Sequence, residues 1–254
     1  MKLRILGCGT SSGVPRIGND WGACDPAEPR NRRTRASILL ESDDMRILVD
    51  TGPDLRQQLL DADVARIDHV IWTHEHADHC HGIDELRQLY FKLGGPIPCH
   101  ARPRTLSELK QRFSFSFKGL PPYPAYATGH PLPDRAQFGG VTVQSADMPH
   151  GSITTAALRF EHGGKTLAYT TDFTNLPSQA AECVRGVDVW VVDALRRRGH
   201  PTHPHLGQVL EWIAQFRPGR AILTHMDHSM DYAALRAELP PHVEPGYDGL
   251  EVTL

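Results

Sequence analysis

The chain lacks the features that mark several large protein classes. It has only 5 cysteines in 254 residues, and no two stand as C-x-x-C. An odd, unpaired set argues against a disulfide framework and an all-cysteine zinc site. It fits a reducing compartment. No apolar run approaches the ~18 residues of a membrane span. The apolar stretch before Cys8 is broken by Arg4, well short of a signal peptide's roughly 7–15 apolar residues. A soluble, cytoplasmic protein without a membrane partner is expected. Positive charge is not in excess: 27 Lys and Arg face 30 Asp and Glu, for a formal net charge of -3. Nucleic-acid binding driven by bulk charge is therefore disfavoured. The sequence shows no internal repeat or low-complexity linker, and residues 1–254 read as one domain.

Histidine, by contrast, is abundant, with 15 residues. Imidazole is the commonest metal ligand and the usual proton shuttle near neutral pH. Three imidazoles and a carboxylate fall within six residues in His74-Glu75-His76-Ala77-Asp78-His79. This run follows the apolar segment His69-Val70-Ile71-Trp72-Thr73. His74 and His76, two apart at a strand end, can aim at one point, and Asp78 and His79 at a second. Imidazole and carboxylate without thiolate suit Zn, Mn or Fe. Two other apolar strands run into Asp172 and His225, and His150 follows Met148-Pro149.

Periodicity predicts strands at 2–6, 36–40, 45–50, 69–73, 141–144, 154–160, 166–171, 187–192, 221–224 and 250–254. Helices are predicted at 54–61, 83–93, 104–112, 205–216 and 231–239. Strands follow one another without intervening helices, so two sheets with helices outside fit better than a doubly wound fold. Segment 113–139, rich in Phe, Tyr and Pro, reads as a loop or lid, and its aromatic residues as a homodimer surface or equally as a contribution to the core. Gly7-Cys8-Gly9-Thr10-Ser11-Ser12-Gly13 is one residue too long for a dinucleotide fingerprint, and the Val14-Pro15 and Gly18 that follow do not support the helix such a fingerprint opens. It predicts a tight turn near a site, with Ser11 and Ser12 as candidate phosphate contacts. Arginine clusters at Arg30, Arg32, Arg33 and Arg35 and at Arg196-Arg197-Arg198 read first as a solvated face and second as further phosphate candidates, Arg198 foremost.

His74-x-His76-x-Asp78-His79, then His150, Asp172 and His225 in that order, resemble the metallo-β-lactamase superfamily. The resemblance implies an α/β fold, an αββα sandwich of two mixed sheets with metals at one edge. It implies a first site of His74, His76 and His150, a second of Asp78, His79 and His225, and Asp172 bridging. The cofactors would be two divalent ions, Mn or Zn. Gly7-x-Gly9-Thr-Ser-Ser-Gly-Val-Pro15, Asp50-Thr51-Gly52 and Gly246-Tyr-Asp-Gly249 are similar to the phosphoribosyl cyclic phosphodiesterase branch. That likeness implies hydrolysis of a small cyclic phosphodiester, with Asp78 in the catalytic centre and His203 beside it. His203 is the candidate general acid, with His200 and His205 as alternatives, and Asp50 is a candidate support for a metal-binding histidine.

The branch also carries a structural zinc on three N-terminal cysteines and a late histidine. Only Cys24 and His228 match, and two ligands cannot close a tetrahedral site. That zinc is expected to be absent, or replaced by hydrogen bonds of Asp20 or Asp25. Two other readings share the motif: a transfer-RNA 3′-processing endonuclease, and a non-catalytic metal-binding carrier like the pyrroloquinoline quinone biosynthesis B proteins.

Overall fold

A computed structural model describes residues 1–43 and 45–254. In chain order the strands are β1 (Lys2–Gly7), β2 (Ser37–Ser42), β3 (Met45–Val49), β4 (His69–Trp72), β5 (Ile97–Ala101), β6 (Ala127–Pro131) and β7 (Arg135–Phe138). There follow β8 (Val141–His150), β9 (Ile153–His162), β10 (Lys165–Thr170), β11 (Val189–Asp193), β12 (Arg220–Thr224), β13 (Val243–Pro245) and β14 (Glu251–Thr253). The helices are α1 (Leu55–Asp61), α2 (Ala77–Cys80), α3 (Leu86–Leu93), α4 (Pro103–Arg112), α5 (Ser114–Lys118), α6 (Ser178–Val184), α7 (Leu206–Phe216) and α8 (Tyr232–Glu238).

The strands form two seven-stranded mixed sheets, β14-β1-β2-β3-β4-β5-β6 and β13-β12-β11-β10-β9-β8-β7. Register explains the layering. Leu39, Leu48, Val70 and Cys99 stand opposite one another across the first sheet. They pack outward on Leu55 and Leu59 of α1, Leu86 of α3 and Leu106 of α4. Their alternate neighbours Ile38, Val49 and Ile71 face inward and meet Val143, Leu158 and Leu167 of the second sheet. Each fully buried aliphatic side chain contributes roughly 1.5–3 kcal/mol of transfer free energy. The strands β3 to β6 and β10 to β13 run parallel within their sheets. Their carboxyl ends are the usual place for a site.

The αββα sandwich agrees with the expected class. The expectation for 113–139 is corrected: it holds α5 and two edge strands, β6 and β7. Gly129 and Pro131 hide β6 in the sequence, yet an edge strand tolerates both. Phe115, Leu120 and Tyr123 are exposed there. β5, β13 and helices α2, α5 and α6 were also unanticipated. No helix among the described residues is long and apolar enough to cross a membrane.

Candidate metal centre

Strand β4 ends at Trp72, and the next residues leave the sheet in two conformations. His76 is extended (φ -70°, ψ 153°) and starts the single turn of α2, which contains Asp78 and His79. Extended and helical backbone send side chains in different directions, so one short segment serves two points. Asp50 (φ 67°), Asp172 (φ 57°) and His225 (φ 56°) each follow a strand in the left-handed region. A non-glycine residue there costs on the order of 1 kcal/mol or more and persists only where the surrounding structure holds it. Gly52 is required by close approach: a Cβ would lie 2.4 Å from the Asp78 carbonyl.

The structure brings the predicted residues into two groups. His74, His76, His150 and Asp172 form one; Asp78, His79, Asp172 and His225 form the other. Within each, the ligand atoms lie within 4.8 Å of one another. Asp172 belongs to both through different oxygens. Its Oδ2 is 3.8 Å from His74 Nε2 and 3.6 Å from His150 Nε2. Its Oδ1 is 3.3 Å from His79 Nε2 and 3.2 Å from His225 Nε2. Asp78 Oδ2 is 3.3 Å from His79 Nε2 and 3.5 Å from His225 Nε2.

The surrounding hydrogen bonds fix which ring nitrogen faces inward. Thr73 donates its hydroxyl proton to Asp50 Oδ2 (2.8 Å), so His74 Nδ1–H donates to Thr73 Oγ1 (3.0 Å). His79 Nδ1–H donates to Asp50 Oδ2 (2.7 Å), and His150 Nδ1–H to the Thr202 carbonyl (3.0 Å). Each ring then turns an Nε2 lone pair to the centre, as metal-binding histidines do. The Nε2 atoms of His74 and His79 are buried without a hydrogen-bond partner among the described residues. These orphaned lone pairs beside carboxylates fit a divalent cation.

Charge points the same way. Burial opposes charge on His79, but Asp172, Asp78 and Asp50 hold its imidazole well above the ordinary value. Burial also works against His225, yet Asp172 and Asp78 outweigh it and push it up to about 9. His74 moves the other way, lowered by burial and by His79. Burial opposes ionisation of Asp172, but His225, His79 and His74 hold it well below the carboxylate range. A donor set that draws protons onto its histidines has negative charge to spare, which suits divalent ions.

One site residue was missed. Asp193 ends β11, is fully buried, and accepts from His203 Nδ1 (2.8 Å) and from the Asp172 amide (3.0 Å). The signal was present: β11 is an apolar run into an aspartate, as is the run before Asp172. His203 Nε2 lies 3.8 Å from Asp172 Oδ2. His205 caps α7 by accepting from the Gln208 amide, and His200 Nδ1 accepts from the Thr202 amide (3.3 Å).

Ser11 and Ser12 are exposed on a turn tied to the strand end beyond His225 by the Thr10 amide and Met226 carbonyl (3.2 Å). Arg198 is exposed, and Arg197 pairs with Glu238. The first arginine cluster is corrected at Arg33. Arg30 pairs with Glu28, Arg35 with Asp54, and Arg33 is buried. Arg33 donates to the carbonyls of Asp227 (3.3 Å) and Met230 (2.6 Å) and lies against Cys24 Sγ (4.0 Å). Asp20 does face His228, at 3.8 Å. Arg33, the Ala23 amide on the His228 carbonyl (2.9 Å) and Asp20 beside His228 together tie the Cys24 loop to residues 227–230, and the Asp25 amide donates to Asp231 Oδ2 (3.1 Å).

Comparison with known proteins agrees with this fold. The model of the beta-lactamase superfamily domain matches residues 45–226. A solved structure described as a new diphosphatase from the PhnP family is 32% identical, with TM-score 0.90, over 100% of this chain and 97% of that one. The metallo-β-lactamase fold protein YhfI of Bacillus subtilis is 19% identical, with TM-score 0.78, over 99% and 98%. A Porphyromonas gingivalis protein named octanoyltransferase is 32% identical over 268 residues, covering 100% of this chain. The chain spans about half, 52%, of that relative's length.

Proposed function

The chain belongs to the metallo-β-lactamase superfamily, and on that premise we propose that it hydrolyses a small, cyclic phosphodiester, such as a phosphoribosyl cyclic phosphate, with two divalent ions, Mn or Zn. Superfamily membership makes it a metal-dependent hydrolase; the substrate and the ion count are our reading. The carrying observation is Asp172, which presents one oxygen to each donor group. His74, His76 and His150 would hold the first ion with Asp172. Asp78, His79 and His225 would hold the second with it. Such ions supply Lewis acidity that activates water and offsets phosphoryl charge.

The protein's own residues handle the leaving group. Asp193 accepts His203 Nδ1–H, which leaves Nε2 facing Asp172. Protonated there, Nε2 donates to the departing alkoxide, while Asp193 orients the ring and steadies the imidazolium. His205 spends its ring on the α7 cap, so His203 is the better donor. A carrier needs no such proton donor. The net charge of -3 favours a small substrate over a transfer RNA. Acyl transfer through a thiol finds little support: all five cysteines are buried, and burial pushes Cys183 up to about 11.

The test compares metal-loaded wild type, His203→Ala and Asp193→Asn on two diesters. One has a nitrophenolate leaving group, the other an alkoxide. Both variants should lose about 10²–10⁴ in rate on the alkoxide ester and far less on the nitrophenyl ester. Equal losses on both would remove His203 as proton donor. Failure of wild type to cleave either would overturn the reading.

A further inference from the structure

Resting on this reading of the centre, we propose that Arg104 determines specificity by holding a second anionic group of the substrate, a terminal phosphate, at the rim. Arg104 is the second residue of α4. A cation in a helix's first turn opposes the helix dipole, and this side chain is 58% exposed. Neither helix stability nor core packing favours arginine here.

Its contacts place it at the centre's edge. Nε lies 3.8 Å from Glu75 Oε1, and an Nη1 hydrogen is donated to the Ser152 carbonyl (3.2 Å). Glu75 separates His74 from His76, and Ser152 is two residues beyond His150. Arg104 thus joins the loop and the turn that carry the first donor group. Glu75 is buried and is fixed by the Thr105 hydroxyl (2.9 Å), so the guanidinium is held from below. Its Nη2 bonds to no described residue and is free for a ligand.

The same turn leads to the proton donor. A Cβ on Gly151 would lie 3.3 Å from Thr202 Cγ2, and Thr202 precedes His203. The rim therefore runs from Arg104 through Ser152 and Gly151 to Thr202 and His203. A substituent on the leaving-group side of the substrate would pass over this turn toward Arg104. Asp50, Asp78, Asp172 and Asp193 carry four negative charges when ionised, which two divalent ions only cancel. A second phosphate needs its own cation, and a guanidinium binds phosphate in bidentate fashion.

The experiment measures KM and kcat for ribose 1,2-cyclic phosphate with and without a 5-phosphate. It uses metal-loaded wild type, Arg104→Ala, Arg104→Lys and the surface control Arg236→Ala. Wild type should favour the phosphorylated ester by at least about tenfold in KM. Arg104→Ala should raise KM for that ester about 10–100-fold more than for the other, the scale of a lost charge-assisted hydrogen bond. Arg104→Lys should keep part of the preference, and Arg236→Ala all of it. A preference that survives in Arg104→Ala, an equal rise in both KM values, or no preference in wild type would overturn the proposal while hydrolysis still stands. Failure of wild type to hydrolyse either ester would remove the phosphodiesterase reading, and this inference with it.

Discussion

Strand β4 has a histidine at its start and another just past its end, and the two ends differ in kind. At the start, His69 lies beside His100 of β5, Nδ1 to Nε2 3.1 Å apart. His100 stands opposite His130 of β6. The rings of His69 and His100 both pack 4.6 Å from Phe138. Burial lowers His69, and burial with His69 and His130 lowers His100 to about 4. At the other end burial is more complete for His79 and His225, yet carboxylates reverse its effect. Company, not burial, sets the charge of these histidines. Backbone matters too. At the β4 start the rings lie side by side within the sheet, and no three of their nitrogens form a ligand group among the described residues. At the other end the chain turns out of the strands, through residues of positive φ, and the ligand atoms converge.

The largest test of that contrast is Asp172→Ala, which removes the carboxylate shared by both groups. Hydrolysis should fall by about 10³-fold or more, the scale seen when one member of a catalytic unit is lost. A rate within tenfold of wild type would break the contrast. A smaller effect sharpens it from the other end. His100 is held below its ordinary value of 6.5, so the unfolded chain takes up a proton first as pH falls. Stability from this group is whole above pH 6.5 and declines toward pH 4, by up to about 3 kcal/mol. His100→Gln keeps a hydrogen-bonding group without a titrating one. Its Tm should drop less than that of wild type between pH 7 and pH 4.5, with hydrolysis at pH 7 unchanged. Parallel Tm losses would contradict the assignment.

The candidate centre was largely legible in the sequence because its donor residues follow apolar, β-branched runs. His74 and His76 after β4, Asp172 after β10 and His225 after β12 all carry that signature. Asp193 carried it too and was passed over, since it stood outside the motif. The edge strands β6 and β7 were illegible because pairing, rather than their own composition, makes them strands. Arg33 looked like one more surface arginine. Its partners, the carbonyls of Asp227 and Met230, lie 194 and 197 residues away in sequence, and only tertiary structure shows them. Arg104 belongs to no motif, and its importance comes from the turn it touches.

The central claim is a two-ion centre built around Asp172. Native mass spectrometry of the metal-saturated chain tests it most directly. Wild type and His100→Gln should each retain two ions per chain, and Asp172→Ala fewer. A single ion or none in wild type, or loss of an ion on changing His100, would contradict it.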